Sequence, residues 1–218
     1  MDVEGSLQWL RNGVLSYDRE RLILAAQDMR LPTNAFKKMA GLSASDRWRF
    51  CHTELESVNH LISGCQALLA DGHYTDRHNR VCKYLHYLIC KQYNLDVPTN
   101  IWEHDPPPIT GNNHATVYYD KIIPTASYIQ NSAIKPDIVL WDKTNQKGII
   151  IDVSVPNDSG LNKAERERVT KYQQLMFDIK RLREVEIIPV IGGTTGLMKK
   201  NFVEYLQRIA GSPTTSGF

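Results

Sequence analysis

The chain has 218 residues, 42% of them hydrophobic and 23% charged, and its formal net charge is +2. This composition is typical of a soluble globular protein with one good-sized domain and a smaller piece. The small net charge gives no global sign of a nucleic-acid binder, so any basic surface must be local. No apolar run is long enough for a transmembrane helix, and no signal-peptide core precedes the first helix. Four unevenly spaced cysteines do not suggest a disulfide framework, which favours an intracellular, reducing location.

Helical and strand patterns alternate along most of the chain. In chain order they predict short connecting helices over residues 1–45, a cysteine- and histidine-containing segment over 46–70, a helix over 76–93, a loop over 96–113, strands over 115–119, 135–141 and 148–155, a helix over 161–184, a strand over 186–191, a helix over 198–209 and a disordered tail over 211–218. Pro189 predicts that the last strand lies at a sheet edge or is bulged. Strand, helix and strand over 148–191 imply a parallel pair. We therefore expect an α/β fold, with a mixed sheet flanked by helices.

Two aspartates are expected to face each other across one hairpin. If the polar turn is centred between Thr144 and Asn145, then Ile138 pairs with Ile151, and Asp137 is directly opposite Asp152. Like charges in opposed positions are destabilising, so two carboxylates among buried strands need a stabilising partner. A bound Mg²⁺ or Mn²⁺ ion is the simplest one, because these ions prefer oxygen ligands. The alternative is that a bulge breaks the register and turns one aspartate to solvent.

Five motifs follow one another in a fixed order. They are Cys51 with His60-Leu-Ile-Ser-Gly-Cys65, Arg77-His78-Asn79, Lys135-Pro136-Asp137, Ile151-Asp152-Val153-Ser154-Val155-Pro156, and Lys171-Tyr172. With the predicted elements, they resemble the restriction-like endonuclease domain, of the PD-(D/E)XK fold, at the C-terminus of site-specific non-LTR retrotransposon reverse-transcriptase proteins. Residues 9–13 and 22–28 resemble the segment that follows the reverse transcriptase in such elements. The resemblance thus extends over almost the whole chain, although the sequence contains no reverse transcriptase.

The resemblance implies a metal-dependent DNA endonuclease with an αβββαβ core over residues 71–210. In that family, a nick in target DNA frees a 3′-hydroxyl that primes reverse transcription. The matching residues are Asp137 and Asp152 as ligands of Mg²⁺ or Mn²⁺, and Lys171 as the catalytic lysine. The position two residues after Asp152, which is lysine in the simple motif, is Ser154. The lysine would therefore come from the following helix, where the neighbouring acidic residues 165 and 167 are alternative members of the site.

The resemblance also implies contacts with nucleic acid. Arg77, His78 and Asn79 are expected at the start of a helix, where their donors suit phosphate oxygens, although such residues also occur as ordinary surface or capping groups. Lys135 and Tyr172 are further candidate DNA contacts. The implied partners are DNA, RNA as a second candidate, and a reverse-transcriptase domain in the parent protein, with no membrane contact. The implied location is the nucleus.

A degenerate CCHC zinc knuckle is the other implied metal site. Cys51, His60 and Cys65 match its ligands, but the cysteine expected three residues before Cys51 is Trp48. Structural zinc sites nearly always have four ligands, so His52 would have to substitute, or the site is lost. The alternative interpretation is that Cys51 and Cys65 are small buried apolar residues. The remaining cysteines, 82 and 90, are expected in the core.

Two other functions are compatible with the same sequence. A decayed or domesticated nuclease would bind nucleic acid without cutting it, and the missing zinc cysteine favours that alternative. A protein-interaction scaffold of the same fold would have no use for the paired carboxylates. Mn²⁺ or Mg²⁺ should stabilise a protein with a carboxylate pair but leave a scaffold unchanged, so metal-dependent melting separates these classes.

Overall fold

The computed structural model describes residues 1–11, 15–122, 135–180 and 184–211. This part of the chain is an α/β fold with a mixed sheet of five strands, whose order in space follows their order in sequence. The strands are β1 (Ile109–Gly111), β2 (Ala115–Tyr119), β3 (Ile138–Asp142), β4 (Lys147–Ser154) and β5 (Glu184–Ile191). Neighbours from β1 to β4 are antiparallel, and β5 is parallel to β4. The edge position predicted from Pro189 is confirmed, and the β4–β5 register continues through that proline without a bulge.

Helices flank this sheet. The α-helices of the described residues are α1 (Val3–Ser6), α2 (Gln8–Arg11), α3 (Tyr17–Gln27), α4 (Asn34–Met39), α5 (Gln66–Ala70), α6 (His73–Gln92), α7 (Leu161–Lys180) and α8 (Phe202–Ala210). A π-helical turn, His60–Gly64, precedes α5, and short 3₁₀ turns cover Ile101–Glu103 and Asp158–Gly160. Within these residues, no helix combines the length and apolarity needed to cross a membrane.

Helices cover both faces of the sheet. Successive residues of a strand point to opposite faces, so they contribute alternately to two hydrophobic cores. One face packs against α6 and α8 and contains the strand residues 138, 140, 149, 151 and 188. The other face packs against α7, where Val139 and Ile150 contact the region of Tyr172 and Leu175. Asp152 follows Ile150 by two residues and therefore lies on the face that α7 covers.

The hairpin register is the one that the sequence predicts. Ile138 pairs with Ile151, Val139 with Ile150, and Leu140 with Ile149. Asp142 closes the turn, since its carboxylate accepts hydrogen bonds from the backbone and side-chain nitrogens of Asn145, at 2.9 and 2.8 Å. These hydrogen bonds stabilise a turn of this length. The length of the turn in turn sets the register of the two flanking strands.

Several predicted boundaries are wrong. The predicted loop over 96–113 contains β1, a three-residue strand that pairs with β2 directly after a run of three prolines. The first sheet-packing helix begins at His73 rather than at residue 76, because Gly72 with φ of 82° supports the left-handed turn that leads into it. Arg77, His78 and Asn79 therefore lie in the second turn of α6, away from the free N–H groups of its first turn.

Two later boundaries also differ. The helix predicted over 161–184 ends within the described residues at Lys180, and β5 begins at Glu184, two residues earlier than predicted. The closing helix begins at Phe202 rather than at residue 198, since Met198 forms isolated bridges with Asp2 and Gly192. Residues 212–218 of the predicted tail, and residues 12 and 13 of an upstream motif, lie outside the described residues.

The N-terminal helices form a peripheral layer. None of the eleven residues of α3 is fully buried, and Ile23, Ala25 and Ala26 of its predicted apolar face are only partly buried. The layer is tied to the loop after β5, where Gln27 Nε2 donates to the Thr195 carbonyl at 2.8 Å and Asp2 N donates to the Met198 carbonyl at 2.9 Å.

Residues 46–70 are organised around a buried carboxylate. Glu56 is 0% exposed and accepts hydrogen bonds from the Arg49 guanidinium, at 2.8 and 3.2 Å, and from the Asn34 backbone N–H at 3.1 Å. The segment docks on α6, because Tyr74 OH accepts from the Cys65 backbone N–H at 3.0 Å and contacts the carbonyls of residues 60 and 61. This packing places the cysteine segment beside the first turns of α6.

Candidate active site

Asp152 is a buried carboxylate near the carboxyl end of β4, with only 1% of its surface exposed. Its Oδ1 accepts a hydrogen bond from the Tyr172 hydroxyl and lies 3.4 Å from Lys171 Nζ. Its Oδ2 lies 3.1 Å from Arg168 Nε, but that contact lacks hydrogen-bond geometry, and no donor among the described residues satisfies Oδ2. One oxygen of this buried carboxylate is therefore ion-paired with Arg168 but accepts no hydrogen bond from the described residues.

The electrostatic environment of Asp152 is unfavourable for an isolated anion. Burial raises the pKa of its carboxyl group, and the charge of Asp137 raises it further, while the Tyr172 hydrogen bond lowers it. The charges of Arg168 and Lys171 also lower the pKa of Asp152. Burial combined with a like charge is one of the arrangements by which functional sites perturb carboxyl groups.

Asp137 lies immediately before β3, at the same end of the hairpin. Because Ile138 pairs with Ile151, the next positions outward are Asp137 and Asp152. Asp137 Oδ2 accepts a 2.6 Å hydrogen bond from the Val153 backbone N–H. That bond holds Asp137 against the strand that carries Asp152, so the structure brings the two predicted metal ligands together.

His78 on α6 lies on the other side of Asp137. Its Nε2 is 3.2 Å from Asp137 Oδ2, and its Nδ1 is 3.1 Å from Asn79 Oδ1. The hydrogen bond to Asp137, with a smaller contribution from Cys82, raises the pKa of His78 to about 11. In the absence of a metal, His78 is therefore an imidazolium that pairs with Asp137 at neutral pH.

Two cations of α7 lie above Asp152. Lys171 Nζ also donates to the Tyr172 hydroxyl at 2.7 Å, and the side chains of Lys171 and Arg168 are 33% and 34% exposed. Each can therefore contact both the buried carboxylate and a ligand on the solvent side. The sequence predicts Lys171 as a site residue, but it did not lead to Arg168. The signal was the spacing, since residues three positions apart on a helix lie on the same side.

The two acidic residues considered as alternatives lie elsewhere. Glu165 accepts hydrogen bonds from Lys199 and from Asn201 Nδ2. Glu167 is paired with Lys163 one turn away at 3.8 Å. Neither is among the groups that the structure places around Asp152.

Asp137 and Asp152 fit a hard divalent cation. The charge of Asp137 acts on the Asp152 carboxylate, and Oδ2 of Asp152 is buried without a hydrogen-bond donor from the described residues. A Mg²⁺ or Mn²⁺ ion would neutralise both charges and occupy that oxygen, and such ions take their remaining ligands from water and substrate phosphate. The pKa of Asp152 stays raised despite Arg168 and Lys171, because burial and the charge of Asp137 outweigh them, and a bound cation would favour the ionised form.

The predicted DNA contacts occupy different environments. Arg77 donates to the carbonyls of Ile62, at 2.7 Å, and Val155, at 3.4 Å, and so ties residues 46–70 to the end of β4. Lys135 is exposed and paired with Asp120 at 2.7 Å. Tyr172 is 0% exposed, so its position suits orientation of Asp152 rather than surface contact. His78, Asn79 and Lys135 are thus the members of the set whose side chains a ligand can reach from solvent.

The predicted zinc ligands also come together. Suitable atoms of Cys51, His60 and Cys65 lie within 4.8 Å of one another, with 3.5 Å between Cys51 Sγ and His60 Nε2. The Thr53 hydroxyl and nearby backbone N–H groups lower the pKa of the Cys51 thiol to about 6, which favours the thiolate that a metal requires. Trp48, where a fourth ligand is expected, instead packs edge-on against His60. The described residues therefore fit a zinc ion with three protein ligands, which leaves the fourth position to water.

No protein-family model matches the chain, and no curated protein shows significant similarity to it.

Proposed function

We propose that this protein is a divalent-metal-dependent DNA endonuclease of the restriction-like PD-(D/E)XK type, from or descended from a site-specific non-LTR retrotransposon. It would act in the nucleus, where it nicks target DNA to prime reverse transcription. The order α6, β2, β3, β4, α7, β5 supports this proposal because it agrees with an αβββαβ core, to which β1 adds an edge strand.

One observation carries the proposal. A buried aspartate with an unsatisfied oxygen lies beside a second aspartate and beneath two half-buried cations. An unsatisfied buried carboxylate oxygen is destabilising, and a catalytic role or a bound ion is among the reasons for which a native structure retains such a group. The combination of two acidic oxygens with cationic neighbours suits a metal ion together with a phosphodiester.

Each residue has a distinct part in cleavage. A divalent ion held by Asp137 and Asp152 would supply charge neutralisation and a water of lowered pKa. Lys171 lies beside Asp152 Oδ1, where its ammonium can donate to the phosphate oxygens as negative charge develops on them. Arg168 presents a guanidinium one turn earlier, a group that binds phosphate oxygens in pairs. The buried Tyr172 holds the Asp152 carboxylate in one orientation.

Nicking of supercoiled plasmid in Mg²⁺ or Mn²⁺ tests the proposal. The parent protein should convert supercoiled DNA to the open circular form, and Asp137→Asn and Asp152→Asn should each abolish that conversion. Asp142→Asn is the matched control, because Asp142 is also a buried aspartate of the hairpin (7% exposed) but caps the turn at the opposite end.

The outcome discriminates among the functional classes. Nicking by Asp142→Asn but not by the two site variants supports the nuclease. A parent protein that shifts DNA in a gel without nicking it in either metal would instead favour the binding-only alternative. Equal nicking by all three variants would point to a contaminating nuclease and contradict the assignment.

A further inference from the structure

A second group of potential metal ligands adjoins the carboxylate pair. His78 and Cys82 are four residues apart on α6, so both face Asp137 from the same side of the helix. One ligand atom from each of the three residues lies within 4.8 Å of the others. This group differs from the cysteine cluster of residues 51–65, and the cleavage steps above use Asp137 but neither His78 nor Cys82.

The spacing of these atoms suits a tetrahedral ion. The distance from His78 Nε2 to Asp137 Oδ2 is 3.2 Å, and that from His78 Nε2 to Cys82 Sγ is 3.7 Å. Nitrogen, oxygen and sulfur ligands at the usual zinc bond lengths are separated by about 3.3–3.6 Å in a tetrahedral site. Only small side-chain movements are therefore needed to place an ion among the three.

The surroundings complete such a site. Asn79 Oδ1 lies 3.1 Å from His78 Nδ1, where it can accept the proton of that nitrogen and leave Nε2 to coordinate. The Cys82 thiol is buried (2% exposed), whereas the side chains of His78 and Asp137 are 31% and 19% exposed. An ion can enter from the side of His78 and Asp137, bind the thiol from outside, and keep a water as its fourth ligand.

We propose that His78, Cys82 and Asp137 form a binding site for a thiophilic divalent cation such as Zn²⁺. Because Asp137 belongs to both sites, an ion here withdraws it from the position where it would hold Mg²⁺. Zn²⁺ would then inhibit cleavage by competition for one shared carboxylate. The inhibition rests on the proposed nuclease function, whereas the binding of the ion does not.

Titration with Co²⁺, a spectroscopic substitute for Zn²⁺, tests the binding. The starting protein carries Cys51→Ala and Cys65→Ala, which removes both thiols of the other cluster. It should develop a thiolate-to-Co²⁺ charge-transfer band, and a further Cys82→Ala or His78→Ala substitution should abolish that band. Cys90→Ala is the matched control, since Cys90 is a buried thiol two turns further along the same helix, and it should keep the band.

The results distinguish this proposal from the nuclease assignment. Absence of the band from a starting protein with an unchanged circular dichroism spectrum overturns the site, as does a band that persists after Cys82→Ala. In plasmid nicking with Mg²⁺, the Zn²⁺ concentration for half-inhibition should rise at least about tenfold in Cys82→Ala, measured against that variant's own activity. An unchanged value overturns the competition. If the charge-transfer band appears as expected but the protein never nicks DNA, the metal site is supported and the nuclease function is refuted.

Discussion

Tyr172 donates its hydroxyl hydrogen bond to Asp152, so a buried phenol orients the carboxylate that is proposed to bind the catalytic metal. The hydroxyl also lies 3.1 Å from the Lys135 carbonyl and receives a hydrogen bond from Lys171. Its position therefore joins three segments that meet at the site. Such support of a metal ligand is worth a factor of about 10–100 in metal affinity.

Tyr172→Phe should raise the Mg²⁺ concentration for half-maximal nicking by about tenfold, because Asp152 loses its orienting donor. Metal titrations of plasmid nicking measure this effect. Tyr93→Phe is the matched control, since Tyr93 donates in the same way to Asp142, at 3.1 Å, in the turn of the hairpin. The same shift in both variants would mean that the effect is a general loss of stability.

Lys171→Ala should slow DNA cleavage by about 100-fold, since the ammonium is positioned to stabilise charge on the phosphate. DNA affinity, measured by fluorescence anisotropy, should change far less than the single-turnover rate. Lys163→Ala on the same helix removes an exposed lysine (77%) and should change neither quantity. A loss of affinity as large as the loss of rate would assign Lys171 to DNA binding alone.

Glu56→Gln should lower the free energy of unfolding by about 2 kcal/mol, because Arg49 and the backbone of Asn34 lose a buried ionised acceptor. Urea denaturation followed by circular dichroism measures the change. Glu4→Gln removes an ion pair whose two side chains are both largely exposed, and it should have no measurable effect. Similar midpoints for Glu56→Gln and the parent would show that residues 46–70 fold without this carboxylate.

His86 makes stability depend on pH. Its ring is 0% exposed, lies 2.8 Å from His104 and also faces Cys90 and Tyr119. Burial, together with the charge of His104, lowers the pKa of His86 from 6.5 to about 4. Between these values the unfolded chain binds the proton and the folded protein does not, so stability is greatest above pH 6.5 and falls as the pH drops towards 4.

The parent protein should therefore lose roughly 2 kcal/mol more stability than His86→Gln between about pH 7 and pH 5. Urea midpoints at the two pH values give this difference. His114→Gln is the control, because His114 is exposed and its replacement should leave the pH dependence unchanged. If the stabilities of the parent and His86→Gln changed equally with pH, His86 would not be the source of the pH dependence.

The hairpin and its aspartate pair could be read from the sequence because local features determine them. Two apolar segments flank a short polar turn, and the pairing of Ile138 with Ile151 follows from the centre of that turn. The edge position of β5 followed from Pro189 for an equally local reason. The strand β1 was missed because three residues after a proline run carry no alternation pattern of their own.

Contacts between distant segments were not predictable in the same way. The i, i+4 spacing of His78 and Cys82 places them on one side of α6, but nothing local indicates that this side meets Asp137. The buried pair of His86 and His104 likewise depends on how a long loop returns to α6. Lysines on charged helices are usually solvated, and the side of α7 on which Lys171 lies follows only from its contact with Asp152 in the folded protein.

The spatial order of the strands also bears on how the chain folds. Every neighbouring pair in the sheet joins strands that are consecutive in sequence, and the β3–β4 turn spans only the four residues between Asp142 and Lys147. Short loops lose little entropy on closure, so this hairpin is well placed to form early. The parallel β4–β5 pair must await α7, which lies between its strands in sequence. The two aspartates would thus meet early, while the cations that moderate their repulsion arrive later with the helix.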